Sequence, residues 1–266
     1  MQLEGLKIQM INIKLIEFIP PIFFRIKKYI NKKIKKKKLR LSPFNHINAE
    51  IDARWILDVG SNVGDVAENA LISYPKANII CFEPVSQTYE ILKKRLEKYT
   101  GRTYLYHGAL SNTSGEGEIN ITNHHGANSI EPQANAHQLM NQHVKELYKE
   151  KINLFKLDEV CKKFPTNKID ILKIDVEGHE VAVIEGGKKF IENNVDTIII
   201  EISFMRDVSV KQQSIFEIFA LMKAANYVLI NIFDLYEAKS GVTKLAQIDC
   251  VFRNSKILTN ESLGQK

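Results

Sequence analysis

The sequence contains little of what marks fibrous, disordered or disulfide-rich chains. Its 266 residues include only 13 glycines and 7 prolines, while 44% are hydrophobic, which excludes collagen-like, mucin-like and wholly disordered proteins. The three cysteines, Cys81, Cys161 and Cys250, are odd in number and far apart, and they show neither a disulfide framework nor zinc-ligand spacing. We therefore expect a protein with a substantial hydrophobic core, from a reducing compartment.

Positive charge is concentrated in one short segment near the N-terminus. Residues 25–40 hold ten lysines and arginines and no acid, which leaves 27 basic against 31 acidic residues in the rest of the chain. The basic isoelectric point therefore belongs to this segment, and the remainder is mildly acidic. That balance argues against a broad nucleic-acid-binding face, so we predict no nucleic-acid partner.

The N-terminal arm, residues 1–44, does not have the pattern of a membrane span. Residues 8–24 are mostly apolar, but two charges and Pro20-Pro21 keep them below the roughly 20 uninterrupted apolar residues that a spanning helix needs. The lysines follow the apolar stretch, the reverse of the order in a secretory signal peptide. Apolar residues followed by dense lysines are typical of peripheral anchors. We expect a cytoplasmic protein in which residues 8–40 either bind the inner membrane face or form a basic, partly helical extension.

The residues after the arm predict a single α/β domain over 45–258, with a short tail at 259–266. Apolar runs of strand length alternate there with stretches of helical periodicity, as in β-α-β units around a mostly parallel sheet. The last two strands are expected to form an antiparallel hairpin at the sheet edge. The predicted strands are 55–59, 78–83, 103–109, 169–175, 195–202, 226–233 and 246–254.

Residues 110–150 interrupt this alternation. Residues 111–121 and the polar loop after them predict a small hairpin, and residues 133–150 predict an exposed helix. An insertion at this position commonly shapes a pocket, because loops at strand ends carry binding residues. His124 and His125 in the loop are therefore candidates to reach a substrate.

The first candidate site lies where the first two predicted strands end. Asp58 is followed by Gly60 and Gly64, and a glycine turn between strand and helix is typical of places where a ligand approaches the backbone closely. About 20 residues further on, Glu83-Pro84 places a carboxylate where it can accept hydrogen bonds from ribose hydroxyls. The two strand ends predict an adenosine-cofactor site.

The same turn favours S-adenosylmethionine over NAD. The dinucleotide fingerprint needs glycines where this chain has Asn62 and Asp65, and Asp65 at the helix start would repel a pyrophosphate. Asp58, in contrast, could receive the cationic amino group of a methionine moiety. An NAD-dependent sugar oxidoreductase or epimerase stays open as the alternative enzyme, and a non-catalytic membrane-surface binding protein as the alternative from another class.

The fourth predicted strand ends in a second group of candidate residues. Asp175, Glu177 and His179 follow one another across its end and the next helix start, where side chains project over the cleft. Methyl transfer needs a sulfonium in line with a hydroxyl oxygen and a group that accepts the proton, so these three are candidate catalytic residues, with His179 or a carboxylate as base. Helix capping by Asp175 is the structural alternative. Glu201, which ends the fifth strand, is a candidate for substrate binding or for a salt bridge. Clustered carboxylates could hold Mg²⁺, but no metal-specific spacing is present, so no metal ligand is predicted.

These motifs resemble the FkbM family of S-adenosylmethionine-dependent methyltransferases. The resemblance covers about residues 54–254 and depends above all on DILKIDVEGHE at 170–180. It implies a doubly wound, Rossmann-like class I methyltransferase sheet of seven strands in the order 3-2-1-4-5-7-6, with the last strand antiparallel. It also implies O-methylation, and we expect the acceptor to be a hydroxyl of a sugar, a glycan or a lipid-linked glycan precursor. The other shared motifs are DVGSNVGD, CFEP, HGALSN, GANSI, KLDEV and IIIEIS.

The resemblance further implies roles for individual residues, while the basic arm lies outside it. Asp175 and Glu177 would border the transferred methyl, whereas family members hold varied residues at the position of His179. Ser61 stands where the family usually has alanine. The implied cofactor residues are Asp58, Gly60, Ser61, Asn62 and Gly64 in the turn, Glu83 and Pro84 at the ribose, and Ala109 and Leu110 at the adenine. Ser129, in the loop that faces the pocket, is a candidate for substrate binding.

Overall fold

A sheet of seven strands and a smaller sheet of three make up the β structure. The computed structural model describes residues 43–47, 51–131, 144–203, 215–237 and 245–262. The larger sheet contains β1 (Trp55–Val59), β2 (Asn78–Glu83), β3 (Thr103–His107), β7 (Ile169–Ile174), β8 (Val195–Ser203), β9 (Tyr227–Glu237) and β10 (Leu245–Asn254). The smaller sheet contains β4 (Ala109–Leu110), β5 (Gly115–Thr122) and β6 (Glu146–Phe155). The α-helices of the described residues are α1 (Asp65–Ser73), α2 (Ser86–Leu96), α3 (Leu157–Val160), α4 (Glu180–Gly186), α5 (Lys188–Asn194), α6 (Ile215–Ala224) and α7 (Ser255–Ser262).

The strand order of the larger sheet confirms the predicted topology. The strands run β3-β2-β1-β7-β8-β10-β9, and β10 alone is antiparallel to its neighbours β8 and β9. β10 lies between β8 and β9, so the C-terminal hairpin does form and β9 is the edge strand. The chain moves outward from β1 to β3 and then returns to place β7 on the other side of β1. The carboxyl ends of β1 and β7 therefore flank a topological switch point, where open α/β sheets bind their ligands.

Helices cover both faces of the larger sheet, which explains its nearly continuous apolar strands. Successive strand residues alternate between two core layers, as Ile198 and Ile199 do in β8. Helices α1 and α2 pack on one layer, with Ala67 and Leu92 fully buried. Helices α4 to α6 pack on the other layer, for example through Val183. Strand-length runs of isoleucine and valine are stable here because neither face meets water.

Two predicted elements differ from the structure. The third strand ends at His107, and Ala109–Leu110 form β4 in the smaller sheet, because Gly108 packs so closely on β6 that a Cβ there would lie 2.7 Å from the carbonyl oxygen of Asn153. The predicted helix over 133–150 is wrong at its C-terminal end, since Glu146–Phe155 pairs with β5 along the strand's length. Its helical periodicity is overridden by backbone pairing. Residues 132–143 lie outside the described residues.

The described residues also bear on the cysteine and membrane expectations. Each of the three cysteines has a free thiol, and two of them are buried. In the described ranges, no helix combines the length and the apolarity required to cross a bilayer. The N-terminal arm up to residue 42 lies outside those ranges, so its predicted anchor and basic extension stay predictions.

We predict that Gly60→Ala destabilises the protein much more than Gly101→Ala. Both glycines have positive φ, +82° and +90°, so each alanine suffers left-handed strain of about 1 to 2 kcal/mol. A Cβ on Gly60 would also lie 1.9 Å from the carbonyl oxygen of Asp175, whereas a Cβ on Gly101 meets no atom within 4 Å. Overpacking adds about 1 to 3 kcal/mol at Gly60 alone. Urea unfolding measures the loss of stability in both variants. Equal losses would contradict the close packing of the turn after β1 against the end of β7.

Candidate functional site

The candidate site lies where β1, β2 and β7 end side by side. The backbone N–H groups of Gly60 and Ser61 donate to the carbonyl oxygen of Phe82 at 3.1 and 3.0 Å. On the other side of β1, the N–H of Asp175 donates to the carbonyl oxygen of Val59 at 3.1 Å. These bonds join the ends of three strands, so the residues predicted at β1, β2 and β7 are brought together.

The glycine turn after β1 is tightly folded. Gly60, Asn62 and Gly64 all have left-handed φ values, of 82°, 50° and 84°. The N–H of Gly64 donates to the carbonyl oxygen of Ser61 at 2.9 Å, and the Ser61 hydroxyl donates to the carbonyl oxygen of Asp58 at 2.9 Å. The Ser61 side chain therefore stabilises the turn, which leads directly into α1.

The carboxylate of Glu83 holds this turn against β2. One oxygen accepts from the N–H of Asn62 at 2.8 Å, and the other accepts from the N–H of Val85 at 2.9 Å and the hydroxyl of Thr88 at 2.7 Å. Burial raises the pKa of Glu83, and these donors oppose that shift. A carboxylate offers about four acceptor positions, so these three donors leave one position unused. Pro84, next in the chain, is half-buried.

Asp58 is fully buried, and neither of its carboxylate oxygens has a hydrogen-bond partner in the described part of the chain. Burial raises the pKa of Asp58, while the nearby charge of Lys173 opposes the rise. Leaving a buried polar group unpaired is costly, so such a group in a native protein calls for an explanation, such as a catalytic role or a bound water or ion. A donor such as a cationic amino group would complete this site.

Lys173 is a site residue that the sequence reasoning missed. It lies on β7 in register with Asp58 on β1, is almost fully buried, and its Nζ lies 2.7 Å from Oδ2 of Asp175. Burial alone would lower the pKa of Lys173, but the carboxylates of Asp175 and Asp58 outweigh it and hold the pKa above its usual value. The signal was present in the sequence: a lysine inside an otherwise apolar strand must have a buried partner.

Three carboxylates gather beyond the end of β7. Oxygen atoms of Asp175, Glu177 and Glu201 lie within 4.8 Å of one another. Burial raises the pKa of Glu201 well above its usual range, and the charges of Asp175 and Glu177 raise it further. Such a cluster attracts cations, and hard oxygen ligands suit Mg²⁺. Acidic groups of this kind are also common without an ion, so the cluster carries no metal assignment.

The loop after β5 is fastened to this acidic end of β7. The hydroxyl of Ser129 donates to the carbonyl oxygen of Glu177 at 2.7 Å, and Glu177 itself has a left-handed φ of 51°. The N–H of Gly178 donates to the carboxylate of Glu180 at 2.8 Å. Ser129 therefore lies beside the backbone of Glu177, and its hydroxyl is occupied in holding it, while its role in substrate binding stays a prediction.

His179 is buried, and both of its ring nitrogens are occupied. Nδ1 lies 2.8 Å from Oε1 of Glu131, and Nε2 lies 2.9 Å from the hydroxyl of Ser111. Ser111 directly follows Ala109 and Leu110, the buried pair that forms β4. β4 is connected to the site by a hydrogen bond from the N–H of Gly108 to the carbonyl oxygen of Glu83, at 3.1 Å. The ring therefore joins the loop after β5 to the end of β4.

A different histidine contacts the glycine turn. His125 lies in a short 3₁₀ turn, and its Nδ1 lies 2.9 Å from Oδ1 of Asn62. Its ring stacks on that of His124, with centroids 5.6 Å apart. The loop after β5 thus reaches both the glycine turn and the acidic end of β7.

We predict that Lys173→Met destabilises the protein by about 3 kcal/mol, because removing one partner leaves buried charge unpaired. The matched control is Lys168→Met, which removes an exposed lysine 2.9 Å from Asp196 and should cost about 0 to 1 kcal/mol. Urea unfolding at pH 7 measures both. Part of the Lys173→Met loss should be recovered at lower pH, because buried carboxyls with raised pKa favour the folded state when protonated. Similar losses of unfolding free energy for both variants would show that Lys173 does not compensate a buried carboxylate.

Comparison with known proteins identifies relatives among the methyltransferases. The chain is 30% identical over 155 residues to the hexuronic acid methyltransferase AglP of Haloferax volcanii, covering 58% of this chain and 56% of that protein. It is 30% identical over 141 residues to the 2-O-methyltransferase NoeI of Sinorhizobium fredii, covering 50% of this chain and 57% of that protein. The chain thus spans a little over half the length of these curated relatives.

A solved structure and a family model also match. The methyltransferase FkbM of Methylobacillus flagellatus aligns over 74% of this chain and 44% of its own, with 12% identity and a TM-score of 0.45. The family model of the methyltransferase FkbM domain matches residues 58–229, which contain the glycine turn, the loop after β5 and the acidic end of β7. Since that match covers more than half of the chain, the protein belongs to the FkbM methyltransferase family.

Proposed function

We propose that this protein transfers a methyl group from S-adenosylmethionine to a hydroxyl of a sugar or glycan. The observation that carries the proposal is the buried, unpaired carboxylate of Asp58 beside the glycine turn. It lacks a cationic donor, and the amino group of a methionine moiety is such a donor. Membership of a methyltransferase family supports the same reaction class.

The surrounding residues support a nucleoside cofactor at this edge of the sheet. The remaining acceptor position of Glu83 suits a ribose hydroxyl, and Ala109 and Leu110 would border the adenine. Asp65 begins α1, and a carboxylate at a helix N-terminus repels a pyrophosphate; Arg95, which pairs with both Asp65 and Glu68, offsets only part of that charge. NAD is therefore disfavoured by charge.

The acidic end of β7 supports methyl transfer at that point. The cofactor supplies an electrophilic methyl on a positively charged sulfur, and the carboxyl groups of Asp175, Glu177 and Glu201 lie close together here, with burial and the neighbouring acids raising the pKa of Glu201. Lys173 holds the Asp175 carboxylate in one position. Correct positioning of two reactants is worth about 7 to 11 kcal/mol of the barrier, so fixing these side chains is a principal task of the fold.

A sugar hydroxyl is the acceptor that the relatives support. One relative is named a hexuronic acid methyltransferase and the other a 2-O-methyltransferase. We extend the proposal to lipid-linked glycan precursors because the basic N-terminal arm would hold the enzyme near such substrates.

Titration with S-adenosylhomocysteine and with NAD tests the cofactor. We expect the protein to bind S-adenosylhomocysteine and not NAD. Asp58→Asn should weaken the affinity for S-adenosylhomocysteine at least about tenfold, since a hydrogen bond to a charged group is worth about 1.5 to 3 kcal/mol. The matched control, Asp52→Asn, changes a side chain that is 65% exposed and should leave the affinity unchanged. Isothermal titration calorimetry measures each dissociation constant.

The same protein can then be assayed for transfer of tritium from methyl-labelled S-adenosylmethionine to p-nitrophenyl glucuronide and p-nitrophenyl glucoside. Label in the glycoside, with loss of one hydroxyl proton signal, would identify the acceptor class. Binding of NAD without S-adenosylhomocysteine would overturn the methyltransferase proposal and favour the oxidoreductase alternative.

We also propose that residues 8–40 attach the protein to anionic membranes, because ten basic residues follow an apolar stretch. Each lysine near an anionic surface contributes about 1 kcal/mol. The full chain should sediment with phosphatidylserine-containing vesicles at low salt and should be released by replacing Lys35, Lys36, Lys37 and Lys38 with glutamine. Vesicles of pure phosphatidylcholine are the control. Equal sedimentation of both proteins with both vesicle types would exclude an electrostatic anchor.

A further inference from the structure

The histidine best placed to accept a proton lies in the loop after β5, not in the motif at the end of β7. Nδ1 of His125 lies 2.9 Å from Oδ1 of Asn62. An amide oxygen can only accept, so Nδ1 carries the hydrogen and the lone pair of the neutral ring is on Nε2. His125 is exposed, which leaves that lone pair open to a substrate.

The loop fixes the direction of this ring. The N–H of Ala127 donates to the carbonyl oxygen of His124 at 2.8 Å, and Oδ1 of Asn128 accepts from the N–H of Thr122 at 2.8 Å. The stacked ring of His124, nearly parallel to that of His125, restricts it from the side. A ring held by a hydrogen bond and by packing meets one of the geometric requirements for a general base, which is orientation by a third group.

His125 also lies between the two halves of the proposed site. Asn62 belongs to the glycine turn, whose backbone is held by Glu83. Four residues after His125, Ser129 is bonded to the backbone of Glu177 at the acidic end of β7. The loop therefore connects the cofactor turn to the carboxylates that would border the methyl.

His179 does not have this freedom. It is only 7% exposed, and its nitrogens are engaged by Glu131 and Ser111 at 2.8 and 2.9 Å. To act as base it would have to break one of these bonds and reach out of the core. Its contacts suit a residue that positions the loop.

We propose that His125 is the catalytic base and Asn62 its positioning residue, an inference that rests on the methyl transfer proposed above. A lone pair of the acceptor oxygen forms the new C–O bond to the methyl carbon, and the C–S bond breaks with its electrons kept on sulfur. The hydroxyl proton passes to Nε2 of His125, and the imidazolium then releases it to solvent. Among the described residues, His124 is a titratable group whose ring stacks on that of His125.

Replacing His125 with asparagine tests the base, since the variant keeps a donor near the position of Nδ1 and removes Nε2. With p-nitrophenyl glucuronide as acceptor, turnover should fall by about 100-fold or more, and the rise of the rate with pH that deprotonation of a single base produces should disappear. Affinity for S-adenosylhomocysteine should stay within threefold. His107→Asn is the matched control, because this exposed histidine contacts Tyr89 and Ser86 instead of the loop after β5, and it should keep that pH dependence. A His125→Asn enzyme with normal turnover and pH profile would overturn the inference while leaving the proposed function intact.

A second measurement needs no acceptor. Long-range ¹H–¹⁵N spectra of the histidine-labelled full chain with saturating S-adenosylhomocysteine should show His125 with its proton on Nδ1, and Asn62→Ala should shift it toward the Nε2–H tautomer. An Nε2–H tautomer in the unaltered protein would refute the role of Nε2 as base. Failure of S-adenosylhomocysteine to bind at all would instead overturn the proposed function, and the inference with it.

Discussion

The candidate site depends on one buried ammonium group among carboxylates. Lys173 pairs with Asp175 directly and lies in register with Asp58, where its charge opposes the rise in pKa that burial causes. Without that cation, strands β1 and β7 would bring the partly exposed Asp175 close to the fully buried Asp58, and no cation would offset the desolvation of the buried charge, which costs several kcal/mol. The lysine therefore permits the acidic edge on which a cationic cofactor would depend.

The smaller sheet carries a loop that contacts this edge of the larger sheet. β5 and β6 carry the loop that contains His125 and Ser129, and three separate hydrogen bonds fasten the loop to the larger sheet. Oδ1 of Asn62 accepts from Nδ1 of His125, and the carbonyl oxygen of Glu177 accepts from the hydroxyl of Ser129. Nδ1 of His179 bonds to the carboxylate of Glu131. Two of these contacts reach residues from opposite sides of the switch point. The loop is thus held by the same elements that it would help to complete, which makes the site a product of both sheets.

Much of the fold was predictable because its determinants are local. Strands β1 and β2 match the predicted bounds, since a strand covered on both faces must be apolar along its whole length. The predicted helix at 133–150 is wrong over the first residues of β6 for the opposite reason. Residues 146–150 are mostly exposed, so their hydrophobic pattern does not mark a buried face, and pairing with β5 makes them a strand. The candidate site was predictable to the level of its motifs. Glycine turns and acids at strand ends are visible in a sequence, but the partner of each side chain is not.

Sequence alone determined the order of the elements, the parallel sheet and the sets of residues at the ends of β1, β2 and β7, because periodicity and turn chemistry are written into neighbouring positions. Only the tertiary structure decided which groups are already engaged. The polar side-chain atoms of His179 and Ser129 are hydrogen-bonded to other parts of the protein. In contrast, the carboxylate oxygens of Asp58 have no hydrogen-bond partner among the described residues, and His125 has one hydrogen-bonded ring nitrogen and one that is exposed. The physical reason is that hydrogen bonding joins residues far apart in the chain, and the chemistry open to a side chain is what those bonds leave unused.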